Sequence, residues 1–159
     1  MKKCLQAAAV VGASALPVEA QESPLSVIRG AETETSAGPE DYFTGSVIVG
    51  PLFSAPGEAR LGGGLVQFEA GAHTAWHTHP LGQTLYITKG IAWVQEEGGA
   101  IVEARPGDIV QIPADVKHWH GAAPGSAMAH FAIAEAVDGS AVTWMEKVAP
   151  EDYAAGPAQ

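Results

Sequence analysis

The chain has 159 residues, the size of one ordinary domain, and 47% of them are apolar. That is enough to bury a core, and it excludes a wholly disordered chain. Eight Lys and Arg against 18 Asp and Glu give a formal net charge of −10, so a nucleic-acid partner, which needs clustered cations on phosphates, is not expected.

The first 20 residues read as a signal peptide. Lys2 and Lys3 precede an apolar run from Leu5 to Leu16, and Pro17-Val18-Glu19-Ala20 offers a small-residue cleavage pattern. Export to the periplasm or beyond follows, or a cytoplasmic location if this segment stays on. The run is too short for a comfortable membrane span, so no membrane association is expected after cleavage. Cys4, the sole cysteine, falls in the removed segment, and disulfides then play no part. Residues 21–40 are polar and Gly/Pro-containing, an N-terminal arm or linker with a short strand at Val27–Arg29.

Residues 41–149 form the body. Its 19 Gly and 11 Pro, counted over the whole chain, favour turns. Strands are predicted at Thr44–Val49, Gly64–Glu69, Ala75–His79, Gln83–Thr88, Ile91–Gln95, Ala100–Ala104, Ile109–Ile112, His118–His120, Met128–Glu135 and Val142–Lys147. Short strands at near-regular spacing, with no helical period between them, suit a single all-β domain, an antiparallel sandwich or small barrel. Residues 150–159 are a C-terminal tail in which Pro150–Ala155 forms a helical turn ended by Gly156-Pro157.

All six histidines lie between His73 and His130. His77 and His79 are two apart, so on a strand they share a face and can converge on one metal ion. Gln83 opens the next strand and can bring an amide oxygen to the same point. His118, in a later segment, supplies a third imidazole. Three nitrogens and one oxygen, with positions left open, suit Mn, Fe, Ni, Cu or Zn. His120 shares the parity of His118 and faces either inward or onto the barrel mouth. His73 shares the face of His77 if the strand between them is unbroken. Trp76 and Trp119 have the opposite parity and belong on the other face, as core or dimer contacts. His130 shares a face with Met128, Ala132 and Ala134. It is either a satisfied core residue or a neutral imidazole that takes a proton near the metal; its small neighbours leave room for substrate and favour the second.

Gly71, His77, His79 and Gly90 fit the pattern G-x5-H-x-H-x3,4-E-x6-G, with Gln83 in place of Glu. Gly107, Pro113 and His118 fit G-x5-P-x-G-x2-H-x3-N, with Asp115 for Gly and Ala122 for Asn. On these two motifs the chain resembles the cupin superfamily. The resemblance implies a small antiparallel β-barrel or jelly roll with a metal inside, held by His77, His79, Gln83 and His118. An amide in place of a carboxylate leaves such a site one negative charge short and its metal a stronger Lewis acid.

The runs Trp76–Leu85, Lys117–Pro124 and Ala127–His130, with Asp41–Gly45, Pro51–Phe53 and Val142–Glu146, are similar to a narrower group. It is the small bacterial single-domain cupins that include manganese-dependent hydroxynitrile lyases, and the likeness covers about residues 39–153. It implies manganese as the metal, His130 as catalytic base, and Gly64, Val66 and Ala134 lining a pocket. The substrate would be a small hydroxy or carbonyl compound such as a cyanohydrin. Those lyases carry Gln at the position of Ala134, Ala at Gly64 and Arg at His73, so this chain has lost a polar contact and gained room. Two other readings stand beside the lyase: an oxygen-using dioxygenase of the quercetinase type, and a non-catalytic barrel that binds a small molecule. The resemblance also implies a homodimer or higher homo-oligomer, since small cupins often pair through a sheet edge or an N-terminal arm and edges need cover.

Overall fold

The computed structural model describes residues 25–158. The predicted signal peptide and Cys4 lie outside the described residues. The chain order is β1 (Ser36–Ala37), β2 (Phe43–Thr44), β3 (Val47–Ser54), β4 (Leu61–Phe68), β5 (His73–Thr74), β6 (His77–Thr78) and β7 (Gln83–Gly90). Then come β8 (Ala92–Glu96), β9 (Val102–Ala104), β10 (Ile109–Ile112), β11 (His118–Ala122), β12 (Met128–Glu135), β13 (Thr143–Trp144) and α1 (Pro150–Ala154). One sheet runs β1-β3-β4-β12-β7-β10; the other runs β13-β6-β11-β5-β2, with β8 on the far side of β11 and β9 beyond it. All of the ladders are antiparallel, and the two sheets face each other around a common interior. No helix among the described residues is long and apolar enough to cross a membrane.

The period of two decides what faces inward. Across β4 and β12, Phe68 pairs with Met128, Val66 with His130, Gly64 with Ala132, and Gly62 with Ala134. At the closed end Phe68, Leu85, Ile87 and Met128 fill the core and are almost fully buried. Toward the other end the inward residues shrink to Ala and Gly. A second apolar cluster lies outside the second sheet, where Trp76, Ile101, Trp119 and Val148 pack with Trp93 and with Tyr153 of α1. This places Trp76 and Trp119 on the face opposite the interior, as their parity requires.

Three differences from the sequence reading have local causes. Val27–Arg29 forms no strand. Val27 and Ile28 are exposed there, so no buried face fixes them, and a single 3-10 turn, Gly30–Glu32, follows. The strand predicted at Thr44–Val49 starts at Val47 and continues to Ser54, crossing a register shift between Val49 and Leu52 where Gly50-Pro51 interrupts the ladder. The strand predicted over Ala75–His79 is split into β5 and β6. Between them Ala75 N–H donates to Tyr42 O (2.8 Å) and Trp76 N–H to Glu146 O (2.9 Å), so the parity of His73 does not carry through to His77.

Among the motif glycines, Gly71 and Gly107 have room around them but take φ +82° and +97°, while Gly90 is also constrained by space. Gly90 has φ +72°, and a Cβ on it would sit 1.7 Å from the carbonyl oxygen of Ala127. Asp115, where the family pattern has Gly, takes φ 60° itself, a region Asp tolerates better than most residues. Its N–H donates to His79 O at 2.9 Å, which ties the second motif onto the first.

Candidate metal centre

His77 on β6 and His118 on β11 are cross-strand partners, and His79 follows β6 directly. All three are buried, and their candidate ligand atoms lie within 4.8 Å of one another. The backbone sets their tautomers. His77 Nδ1 donates to Ala75 O (3.0 Å), His79 Nδ1 to Ala141 O (2.6 Å) and His118 Nδ1 to Val116 O (2.9 Å). A carbonyl only accepts, so each Nδ1 carries the proton and each Nε2 presents a bare lone pair. Gln83, at the start of β7, sets its Oε1 3.1 Å from His118 Nε2. The Nε2 of His79 is buried without a hydrogen-bond partner.

Lone pairs therefore converge with no proton between them. Protonating the rings is a poor remedy. Burial pushes His118 down to about 4. Burial, and then the neighbouring His118, push His77 well below the usual histidine range; burial also lowers His79. A divalent cation supplies the charge that this donor set lacks, and neutral imidazoles held by carbonyls are the form that binds one. The three-histidine group could hold a metal ion, and the residues present fit one.

His120, also on β11, faces inward and is buried. Its Nδ1 lies 3.2 Å from Nε2 of His130 on β12, and its ring centroid is 5.2 Å from that of His77. His120 thus links the ligand cluster to His130. His130 packs on Phe68 with centroids 5.5 Å apart. Its Nδ1 is buried without a partner, so it is not the fully satisfied core residue that the sequence also allowed. Burial pushes its pKa down to about 4.

These groups open onto one cavity of about 670 Å³. His77, His79, Gln83, His120 and His130 contribute to its lining, as do Gly64, Val66 and Ala134. His118 does not. Phe43, Phe68 and Trp144 also line it, and the sequence reading gave none of them a part in the site. Trp144 packs 4.8 Å from the His77 ring and stacks on Tyr42 at 4.8 Å. Their only signal was an aromatic residue in or beside a predicted strand, with nothing to say which strands face each other. His73 sits elsewhere. Its Nδ1 donates to Gly71 O (2.9 Å) and its ring stacks on Tyr153 at 4.4 Å, outside the barrel. Tyr86 points outward and is exposed.

The buried histidines make acid stability a test. His118 and His130 have folded-state pKa values of about 4 against a usual 6.5. Between those values the unfolded chain binds the extra protons, so stability is fully present above about pH 6.5 and is lost as pH falls toward 4. After removal of metal by chelation, the thermal midpoint should be flat above pH 7 and fall steadily from about 6.5 to 4. A midpoint unchanged over that range would refute the neutral, buried state of these rings.

A family model for the Cupin domain matches residues 64–134. A protein named (R)-mandelonitrile lyase from Granulicella tundricola is 59% identical over 116 residues, covering 73% of this chain and 88% of that one. The chain belongs to the cupin superfamily. Among solved structures, a cupin-like protein from Thermotoga maritima is 38% identical with a TM-score of 0.72, over 77% of this cupin and 92% of that chain. A polyketide cyclase from Streptomyces resistomycificus shares the fold at 15% identity and a TM-score of 0.59, over 81% and 90%. Within the family pattern this cupin departs at Gln83, Asp115 and Ala122. The Asp115 departure preserves the backbone turn. Ala122 is fully buried, and its carbonyl accepts from the Tyr153 hydroxyl at 2.7 Å.

Proposed function

We propose that this cupin is a metal-dependent lyase that cleaves cyanohydrins into aldehyde and hydrogen cyanide. The observation that carries the reading is one cavity onto which His77 and His79 of the bare-nitrogen cluster open together with His130. The 59% identity to a protein named (R)-mandelonitrile lyase supports it. His77, His79, Gln83 and His118 would hold the metal, with manganese assigned and Fe, Ni, Zn and Cu compatible with the donors. When bound, it supplies a Lewis acid that makes a substrate hydroxyl easier to deprotonate.

The chain's own residues do the rest. His130 is neutral near pH 7 because burial holds its pKa near 4, so it is ready to take the hydroxyl proton. Its Nε2 is tied to His120, which fixes the ring and leaves Nδ1 as the nitrogen to receive it. As the proton leaves, the hydroxyl oxygen forms the carbonyl. The bond to the nitrile carbon breaks, and its electron pair departs with cyanide. His130 then returns the proton to give hydrogen cyanide. Phe43, Phe68 and Val66 line the cavity and offer apolar surface against which the substituent on the reacting carbon would pack.

The test is purified protein with mandelonitrile, before and after chelation. Benzaldehyde release that is lost on chelation and restored by manganese is the expected result. No release above the uncatalysed background sinks the lyase reading, and oxygen uptake with catechols or flavonols in its place would point to the dioxygenase.

A further inference from the structure

The cavity is far larger than the chemistry at its floor needs. Beyond His130 on β12, the next inward residues are Ala132 and Ala134, and their partners on β4 are Gly64 and Gly62. Beyond the His130–Val66 pair, as far as the Ala134–Gly62 pair, β4 and β12 raise no inward side chain larger than a methyl, while Leu85 and Gln83 of β7 stand beside Ala132 and Ala134. That stretch is four residues, about 13 Å at about 3.3 Å per residue. Facing sheets pack about 10 Å apart because side chains fill the gap; here the wall leaves it open. The opposing sheet offers Phe43 and Trp144, whose centroids are 5.7 Å apart. Trp144 is braced from behind by the stacked ring of Tyr42.

The edge of the space is also apolar. A Cβ on Gly64 would meet Leu52 Cδ2 at 2.4 Å, so the Leu52 side chain lies over the wall at Gly64 and adds apolar surface there. Arg60 lies at the mouth, paired with Glu135 at 3.3 Å, and offers no lone charge to an acid. At the floor, next to Ala132 on the same face of β12, the buried His130 Nδ1 has no partner. A single-ring cyanohydrin, with about ten heavy atoms, would leave most of the 670 Å³ unfilled.

We propose that the cavity is a slot for flat, uncharged two-ring aromatic compounds. The rings lie between the Gly/Ala wall of β4 and β12 and the aromatic wall of Phe43 and Trp144, with the hydroxyl or carbonyl oxygen at the histidine floor. The reaction at that oxygen rests on the lyase reading; the shape of the slot does not. A second ring removed from water on both faces adds about tenfold or more in affinity.

The experiment has two arms on the manganese-loaded protein. Calorimetric titration compares benzyl alcohol with 2-naphthalenemethanol, neither of which can lose cyanide. Kinetics compares mandelonitrile with the cyanohydrin of 2-naphthaldehyde. The naphthyl alcohol should bind about tenfold tighter, and kcat/KM for the naphthyl cyanohydrin should exceed that for mandelonitrile by a similar factor. Ala134→Leu, which fills the wall, should erase both preferences. Equal or weaker binding of the naphthyl alcohol overturns the slot, whether or not mandelonitrile is cleaved. Tighter naphthyl binding with no cleavage of either cyanohydrin keeps the slot and overturns the lyase. If Ala134→Leu does not fold, the titrations on the unaltered protein decide.

Discussion

His118→Ala should strip the protein of its metal and of its activity together. His118 is 1% exposed and does not line the cavity, so its removal acts through the metal and not through the cavity wall. What it offers is a bare Nε2 beside Gln83 Oε1 and the two other imidazoles. Altering groups that merely orient a ligand costs about 10–100-fold in metal affinity or activity, so losing the ligand itself should cost at least about a hundredfold in both. The measurement is metal content by elemental analysis after dialysis, beside the rate with mandelonitrile. A variant that folds and keeps one metal per chain would remove His118 from the ligand set.

His130→Ala should behave in the opposite way for metal and the same way for rate. Its ring is hydrogen-bonded to His120 and not to any ligand, so metal content should stay at the wild-type level. The rate should fall by about 10²–10⁴, the usual contribution of a positioned base. The fall should appear in kcat as well as in kcat/KM, because the proton moves only on the way to the transition state. Full activity in the variant would leave the metal assignment untouched and refute the base.

The contrast between these two residues is partly legible in the sequence. Period-two parity put His77 with His79 and His118 with His120, and set His130 on a face with Ala132 and Ala134. Those placements agree with the structure because β11 runs in unbroken register against β8 and β12 against β4, while the shift at Ala129/His130 falls on the β7 side. Parity failed for His73, where Ala75 and Trp76 leave the ladder to bond with Tyr42 and Glu146, contacts made far along the chain. The ring-to-ring bond between His120 and His130 was not readable either, since strands separated by a turn need not face each other. The same holds for Phe43 and Trp144, which come together because β2 pairs with β5 and β13 with β6, the two halves of the strand split at Ala75 and Trp76. The tautomers of the three imidazoles were the least accessible part. They depend on carbonyls of Ala75, Val116 and the distant Ala141.

The Gly/Ala wall has a consequence for the protein's evolution and for its engineering. A barrel interior left partly empty forgoes packing that larger residues at Ala132, Ala134 or Ala136 would provide, so these are positions where stabilising substitutions should be easy to find. Each such gain would come out of the space that a substrate occupies. Thermal robustness and reach toward large substrates are thus set against each other on the same stretch of sheet, about 13 Å long at about 3.3 Å per residue, at the scale of single methyl groups. A lineage can slide between the two by exchanging Gly, Ala and larger side chains there, without disturbing the histidines below.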